Sequence, residues 1–442
     1  MPASLLAPGS PALRSRDDLL ARMPWPADAP GLAQARLLAD YVIGRRAGAL
    51  DVSGRTTEGT FAAPAQGPET IIVVDDAHGL QARVLTELAS VLTYNDRLDE
   101  ARIVAAEAPL AEAVADLPTP MPAASGPETD DGDPSTDASR PEVWAVVNAP
   151  KATNALAETI TALHPHVDTL IVIGRSEAMS RAVNTELARA YGRVDVSPGV
   201  GKNRLIIGSR PLASPSLTRF PRRGVIDVPA TGPLTVSAHG ACFSGTKADD
   251  GSTLLLASLA EVLAAPSAAT TLARPASILD LGSGNGWLLT AAMRVTGAER
   301  GVGVDISRAA VASAKETAEA NSVTVDIVLA DAAADPVDAA ADAANAAADA
   351  ANGTAADPAS VAGTFDLVLL NPPFHHGTAI ETDTAAGLMR TAATHLAPGG
   401  RVLTVFNSHL RYRDRLESII GPSEQLARNA KFTVIESRRP AP

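Results

Sequence analysis

An α/β fold used twice in tandem is what this sequence predicts, and three observations carry it. Apolar runs of strand length alternate with helix-length segments from about residue 70 to the end, the signature of a mostly parallel sheet covered by helices. Two of those runs, IIVV at 71–74 and ILDL at 278–281, are each followed by a small-residue turn and a helical stretch, which is how a nucleotide-binding unit opens. At 442 residues the chain has room for two or three domains of ordinary size.

Residues 1–66 are an Ala-, Pro- and Arg-rich extension with a helix expected around Gly31 to Ala47. A first α/β domain is expected over 67–222. It opens with the strand at 71–74, the turn Asp75-Asp76-Ala77-His78-Gly79 and a helix near Leu80 to Leu92. One glycine and two carboxylates in that turn make a poor cradle for a phosphate or cofactor. Residues 118–141, rich in Pro, Gly, Ser and Asp, read as a disordered insert. Strands follow at 143–147, 169–173 and 204–207, with helices at 152–163 and 177–191. From 202 to 223 the chain carries Lys202, Arg204, Arg210, Arg219, Arg222 and Arg223 and no acid. That run reads either as a solvated linker face or as a patch contacting RNA phosphates, of which Lys202, Arg204, Arg210, Arg222 and Arg223 are the candidates.

The second domain, 223–442, begins with paired strands near 225–228 and 234–236, then an apolar-faced helix ending at about 263. Next comes DLGSGNG, with Gly282, Gly284 and Gly286 between a strand and a helix. Trp287 stands where a dinucleotide fingerprint would want its third glycine, so NAD is disfavoured; without a pyrophosphate to hold, the loop can pass close to an adenosine and a charged amino-acid tail. Asp305 ends the next strand, 19 residues past Gly286, where an acid can accept both ribose hydroxyls. It is equally placed to cap the helix opened by Ser307. Asp331 ends a third strand, placed to receive an adenine amino group. An Ala- and Asp-rich, low-complexity insert spans 332–363. A fourth strand, FDLVLL, stops abruptly at Asn371-Pro372-Pro373-Phe374. The prolines hold Asn371 and the Pro372 carbonyl at the strand's carboxyl edge, two acceptors beside an aromatic ring. Such a set suits a planar amine, although a stiff corner with Phe374 in the core would read the same way. A helix at 384–396, a turn at Ala397 to Gly400, a strand at 402–406, a basic helix at 411–420 and a strand at 431–436 complete the chain.

Charge does not exclude a polyanionic partner. The net charge of −13 falls to −3 without ten carboxylates concentrated in the two inserts. Cys242 is the only cysteine, which rules out an internal disulfide or thiolate cluster and, without a second cysteine or matching motif, argues against covalent catalysis. The adjacent His375 and His376 are a weak metal signal, and no metal is expected. No run approaches the roughly 18 apolar residues of a membrane span, and no signal peptide is evident, so a soluble cytoplasmic protein is expected.

In the order glycine loop, Asp305, NPPF, the second domain resembles a class I S-adenosylmethionine-dependent methyltransferase. More narrowly, the chain resembles the tandem-domain ribosomal RNA guanine-N2 methyltransferases, in which a degenerate first methyltransferase domain precedes an active one. FSGTKADDGSTLLL matches that family's block upstream of the glycine loop, although Ala248 and Asp250 stand where apolar residues are usual. NPPFHHGTAI and the ending FNSHLRYRDRLESIIG look most like its large-subunit branch, and NAPK at 148–151 looks like an eroded NPPF. The resemblance implies S-adenosylmethionine as cofactor, held by Asp280, Gly282, Ser283, Gly284, Gly286, Asp305, Ile306, Asp331 and Asn371, with Phe243 and Ser244 closing the methionine side. It implies Asn371, Pro372, Pro373 and Phe374 at the guanine, ribosomal RNA or a ribosomal subunit as partner, and a monomer. Two other readings stay open: methylation of an adenine amine or a protein glutamine amide, and a non-catalytic RNA-binding or ribosome assembly protein.

Overall fold

A computed structural model describes residues 17–21, 23, 25–57, 67–117, 142–264, 274–334, 361, 363–372 and 379–441, with the side chains of 379–382 excepted. The inserts at 118–141 and 335–360, and with them Pro373, Phe374, His375 and His376, lie outside the described residues. Contacts divide the chain into two units, Met1–Arg219 and Phe220–Pro442.

In the first unit, strands β1 (Thr70–Val74), β2 (Ser90–Tyr94), β3 (Glu112–Ala113), β4 (Val143–Asn148), β5 (Thr169–Arg175), β6 (Tyr191–Val196) and β7 (Asn203–Pro211) form one seven-stranded sheet in the order β3-β2-β1-β4-β5-β7-β6. All pairs are parallel except those of β7, which runs antiparallel to β5 and β6. Period-two alternation sends Ile71, Val73, Trp144 and Val146 to one face and Ile72, Val74, Ala145 and Val147 to the other. Helices α1 (Leu32–Arg46) and α2 (Leu80–Leu85) cover the first face; α4 (Thr153–Leu163) and α5 (Arg181–Ala188) cover the second, and α3 (Leu98–Glu107) joins β2 to β3. Burial on both faces is why these strands read as unbroken apolar runs.

Two expected helices are shorter than the sequence implied. The helix begun at Leu80 stops at Leu85, and Ser90–Tyr94 is a strand; the helix expected to reach Tyr191 stops at Ala188, and Tyr191–Val196 is a strand. Residue-by-residue pairing of β2 with β1, from Thr70 with Ser90 to Val74 with Tyr94, satisfies backbone groups that local helical propensity alone would have placed in a helix.

The second unit repeats the plan. After the hairpin β8 (Arg222–Val228) and β9 (Gly232–Ala238) comes α6 (Asp250–Ala264). Then follow β10 (Ser277–Leu281), α7 (Trp287–Thr296), β11 (Arg300–Asp305), α8 (Arg308–Ala320), β12 (Asp326–Leu329), β13 (Phe365–Leu370), α9 (Ala379–Thr394), β14 (Leu396–Asn407), α10 (Arg413–Ile419), β15 (Ser423–Arg428) and β16 (Phe432–Arg438). The order β12-β11-β10-β13-β14-β16-β15 matches the first sheet position for position, again with the penultimate strand antiparallel. The chain is thus two Rossmann-like domains of one topology. β15 escaped sequence reading because SEQLAR is polar, as suits an exposed edge strand.

The parallel strands β10, β11, β12 and β13 end together, so the residues after each crowd one carboxyl edge, where sheets of this type bind ligands. Gly286 locks the loop after β10 onto α8. Its φ is 76°, and a Cβ there would stand 2.7 Å from Ala314 Cα. Gly297, with φ 71°, would meet nothing within 4 Å. Gly286→Ala should therefore destabilise the second unit by about 3 kcal/mol and Gly297→Ala by about 1 kcal/mol, compared by urea unfolding; equal costs would mean that backbone strain alone decides.

Candidate active site

The loop after β10 is held by β11. Gly282 N and Ser283 N both donate to the Val304 carbonyl, at 2.8 and 3.0 Å. Gly284 N donates to Asp305 Oδ2 at 2.8 Å, and Asp305 Oδ1 accepts Ser307 N at 3.0 Å. Glycine is needed at 282 and 284 because their φ values are 80° and 55°. A Cβ at either position would meet nothing within 4 Å, so the loop's backbone faces open space. Ser283 Oγ is buried without a hydrogen-bond partner. An open backbone cradle with an orphaned hydroxyl fits a nucleoside-like ligand.

Around the loop, Asn285 Nδ2 donates to the Gly245 carbonyl at 2.7 Å, tying in the turn that carries Phe243 and Ser244. Phe243 is 61% exposed, while Ser244 takes a left-handed φ of 61°. Ile306 follows Asp305 and is partly buried; Asp331 Oδ1 accepts Ala333 N at 2.9 Å in the turn after β12. Asp280, on β10 directly beneath the loop, is only 2% exposed. Burial, with the Asp305 and Asp249 carboxylates nearby, pushes its carboxyl up to about 8.

Asn371 emerges from β13 beside the start of α6. Its Nδ2 donates to Asp249 Oδ1 at 3.1 Å and to Ser252 Oγ at 2.8 Å. Both amide hydrogens are thereby used, and Oδ1 is buried without a partner. Pro372 is buried beside it. Asp249 and Ser252 were not singled out from the sequence. The available signal was the helix-start pattern in ADDGST, where Asp249 caps α6 by accepting Ser252 N at 2.8 Å.

The basic candidates are dispersed. Lys202 and Arg210 are exposed at opposite ends of nine-residue β7, roughly 25 Å apart by strand rise. Arg204 is partly buried and donates to Ser176 Oγ at 2.8 Å. Arg222 and Arg223 are exposed on β8, in the second unit. Among the described residues no cluster of His, Cys, Asp and Glu could hold a metal ion, and no helix is long and apolar enough to cross a membrane.

The first unit carries the same corner in a closed form. By strand register Asp75, Ala77 and Asn95 stand where the second unit has Gly282, Gly284 and Asp305, and Asn148 stands for Asn371. Asp76 turns its carboxylate onto the start of α2, accepting Gln81 N at 2.9 Å and Ala82 N at 3.0 Å. Asn148 Oδ1 accepts Gln81 Nε2 at 2.7 Å, and Asn148 Nδ2 donates back to Gln81 Oε1 at 3.2 Å. A carboxylate and an amide pair fill what is open in the second unit.

Comparison with known proteins gives this geometry a family. A family model described as the methyltransferase small domain matches residues 233–344 and 339–436. Ribosomal RNA large subunit methyltransferase G of Streptomyces griseus is 31% identical over 304 residues, covering 66% of this chain and 70% of that protein. Ribosomal RNA small subunit methyltransferase C of Chromohalobacter salexigens is 33% identical over 206 residues, 46% of this chain; that match spans about half the relative's length, 51%. Among solved structures, the T. thermophilus 16S rRNA N2 G1207 methyltransferase in complex with AdoMet and guanosine superposes with a TM-score of 0.63 at 20% identity. That alignment covers 87% of this chain and 90% of the other, and at such identity it speaks for the fold.

Asp280 sets a pH test of the site. Its folded-state pKa lies above the ordinary carboxylate value, so the folded protein holds a proton that the unfolded chain releases. The resulting stability is fully present below about pH 4 and is lost as pH rises through about 8. Asp280→Asn should flatten that decline and raise Tm at pH 9 by at least about 3 °C. An unchanged Tm profile from pH 4 to 9 would show that the carboxyl titrates normally.

Proposed function

This chain belongs to the family of ribosomal RNA small subunit methyltransferase C and large subunit methyltransferase G, and on that premise we propose that it methylates the exocyclic N2 amine of a guanine in ribosomal RNA. The observation that carries the reading is Asn371, whose amide hydrogens are both engaged while its carbonyl oxygen has no partner. An acceptor kept in reserve at the carboxyl edge, one residue from a second carbonyl on Pro372, is what an NH2 group on a flat ring requires.

The cofactor is S-adenosylmethionine, which when bound supplies an electrophilic methyl group on a sulfonium. In this reading Gly282, Ser283, Gly284 and Gly286 hold it along the loop, Asp305 and Ile306 flank the ribose, Asp331 faces the adenine, and Asp280, Phe243 and Ser244 stand at the methionine end. The open cradle and the orphaned Ser283 hydroxyl support that assignment. Asn371 Oδ1 and the Pro372 carbonyl each accept one N–H of the guanine amine; Pro373 and Phe374, which the resemblance also implies at the guanine, lie outside the described residues. The guanine amine is a poor nucleophile because its lone pair is delocalised into the ring. Holding both hydrogens favours a pyramidal nitrogen whose lone pair points at the methyl carbon, so the residues contribute chiefly orientation. Bound there, S-adenosylmethionine would supply the methyl group and leave as S-adenosylhomocysteine with the sulfur–carbon bonding pair, and the amine would release one proton to water, so no residue is assigned the role of base.

The first unit, its own corner closed, serves RNA grip rather than catalysis. Arg222 and Arg223, exposed on β8 of the second unit, contact phosphates, and on the first unit Lys202 and Arg210 are the exposed candidates. The protein works in the cytoplasm as a monomer.

Mass spectrometry of ribosomal RNA incubated with the purified protein and cofactor should find N2-methylguanosine; a methylated adenosine, or no product from either naked RNA or ribosomal subunits, would overturn the assignment. Asn371→Ala should lower kcat at least about 100-fold while leaving cofactor affinity within about twofold. Equal losses in both would remove the residue from the acceptor role. Reversing charge at Arg222 and Arg223 should weaken RNA binding and reduce its salt slope by about two. An unchanged slope would place the phosphates elsewhere.

A further inference from the structure

We propose that Asp249 and Ser252 are positioning residues for this reaction, which together hold the Asn371 carboxamide with its oxygen, rather than its NH2, toward the acceptor amine. The inference rests on the function proposed above. A carboxamide is nearly symmetric in shape, and a half-turn about its last torsion exchanges oxygen and nitrogen at little steric cost. The exchange is chemically decisive. Only the oxygen can accept an N–H from the substrate; a flipped amide would meet the amine donor to donor.

Asp249 and Ser252 remove that ambiguity. A carboxylate offers lone pairs alone, so Asp249 Oδ1, 3.1 Å from Asn371 Nδ2, can face only the nitrogen. Ser252 Oγ takes the second amide hydrogen at 2.8 Å. The flipped amide would forfeit the Asp249 bond and bring two acceptor oxygens together, whereas the Ser252 hydroxyl could turn to donate to it; the carboxylate therefore carries the bias, roughly ten- to a hundredfold toward the observed orientation. Asp249 is itself anchored. Its Oδ1 also accepts Ser252 N at 2.8 Å, and its carbonyl accepts Thr253 N at 3.0 Å and Thr253 Oγ1 at 2.8 Å, so the carboxylate is part of the rigid start of α6. Gly251 lies between them. A Cβ there would stand 3.2 Å from Asp249 Oδ1, tighter than ordinary packing, and 3.6 Å from Asn371 Oδ1, in ordinary contact, so the glycine leaves room for the carboxylate that holds the amide.

One carboxylate therefore does two separable jobs. Asparagine caps helices as well as aspartate does, but it presents both a donor and an acceptor. Asp249→Asn should keep α6 and free the Asn371 amide to sit either way. On ribosomal RNA its kcat is expected to fall about 10- to 100-fold, with KM for S-adenosylmethionine within about twofold and Tm within about 2 °C. Ser252→Ala, which removes one bond and leaves the carboxylate, should fall less. A readout without turnover is guanosine affinity by calorimetry in the presence of S-adenosylhomocysteine, which should drop severalfold in Asp249→Asn. In an Asn371→Ala background, Asp249→Asn should cause no further loss, because the group it orients is gone.

Wild-type kcat and guanosine affinity in Asp249→Asn would overturn the proposal. So would an undiminished effect in the Asn371→Ala background, or a kcat loss accompanied by equal losses of stability and cofactor affinity, either of which would mark a merely structural role. A wild-type protein that leaves guanine unmodified would instead refute the function on which the proposal rests.

Discussion

At the carboxyl end of β10 the chain must turn through consecutive backbone N–H groups, two of them on glycines, and β11 satisfies them. The Val304 carbonyl takes Gly282 N and Ser283 N, and Asp305 takes Gly284 N. Everything else at the carboxyl edge depends on that arrangement. Because β11 does the holding, the loop needs no bulk of its own, and glycines can give its backbone to a ligand. Gly286 then closes α7 against α8, and the Asn285 amide draws in the turn at Gly245. The cost is electrostatic: burial beneath the loop, and secondarily the Asp305 and Asp249 carboxylates, raise the Asp280 carboxyl to about 8.

The first unit shows the same frame with its carboxyl edge closed. Asp75 N still donates to the Tyr94 carbonyl at 2.8 Å, the counterpart of the Gly282–Val304 bond, and Gly79 keeps a left-handed φ of 70° at the start of α2. Asp75 takes a left-handed φ of 57° where glycine stands in the other unit, a strained choice for a residue with a side chain. The helix N-terminus that a ligand would have approached is covered by the unit's own Asp76 carboxylate. Topology survived while the site was filled from within.

Much of this was legible in the sequence, and the reasons differ by element. Strands buried on both faces, such as β1, β10 and β13, announce themselves as apolar runs, and the glycine spacing, Asp305 and NPPF fix the order of the second unit's edge. The shared plan of alternating strand and helix in the two halves was read from that pattern; the spatial order of the strands, identical in the two sheets, was not. Short or polar elements did not follow: β2 and β6 were hidden in the tails of helical stretches because ladder pairing with β1 and β7, not local propensity, holds them extended, and β15 because an edge strand needs no apolar pattern. The basic run from Lys202 to Arg223 looked like one patch in sequence, whereas Lys202 precedes β7 and Arg210 stands near its far end, and Arg222 and Arg223 belong to the second unit. Asp249 and Ser252 were missed for a similar reason. Their partner Asn371 is 122 and 119 residues away, and only folding makes a helix cap into a neighbour of the NPPF corner.

The Gln81–Asn148 pair in the first unit also bears on what evolution can undo. Each amide satisfies the other, so replacing Gln81 alone would leave the part-buried Asn148 oxygen without its partner, and reopening the glycine turn alone would gain nothing while that pair stands. A return to a ligand-binding corner would need changes at Asp75, Asp76, Ala77, Gln81 and Asn95 whose benefits arrive only together. The closed corner therefore acts as a ratchet: drift can decorate the first unit further, but no single substitution leads it back.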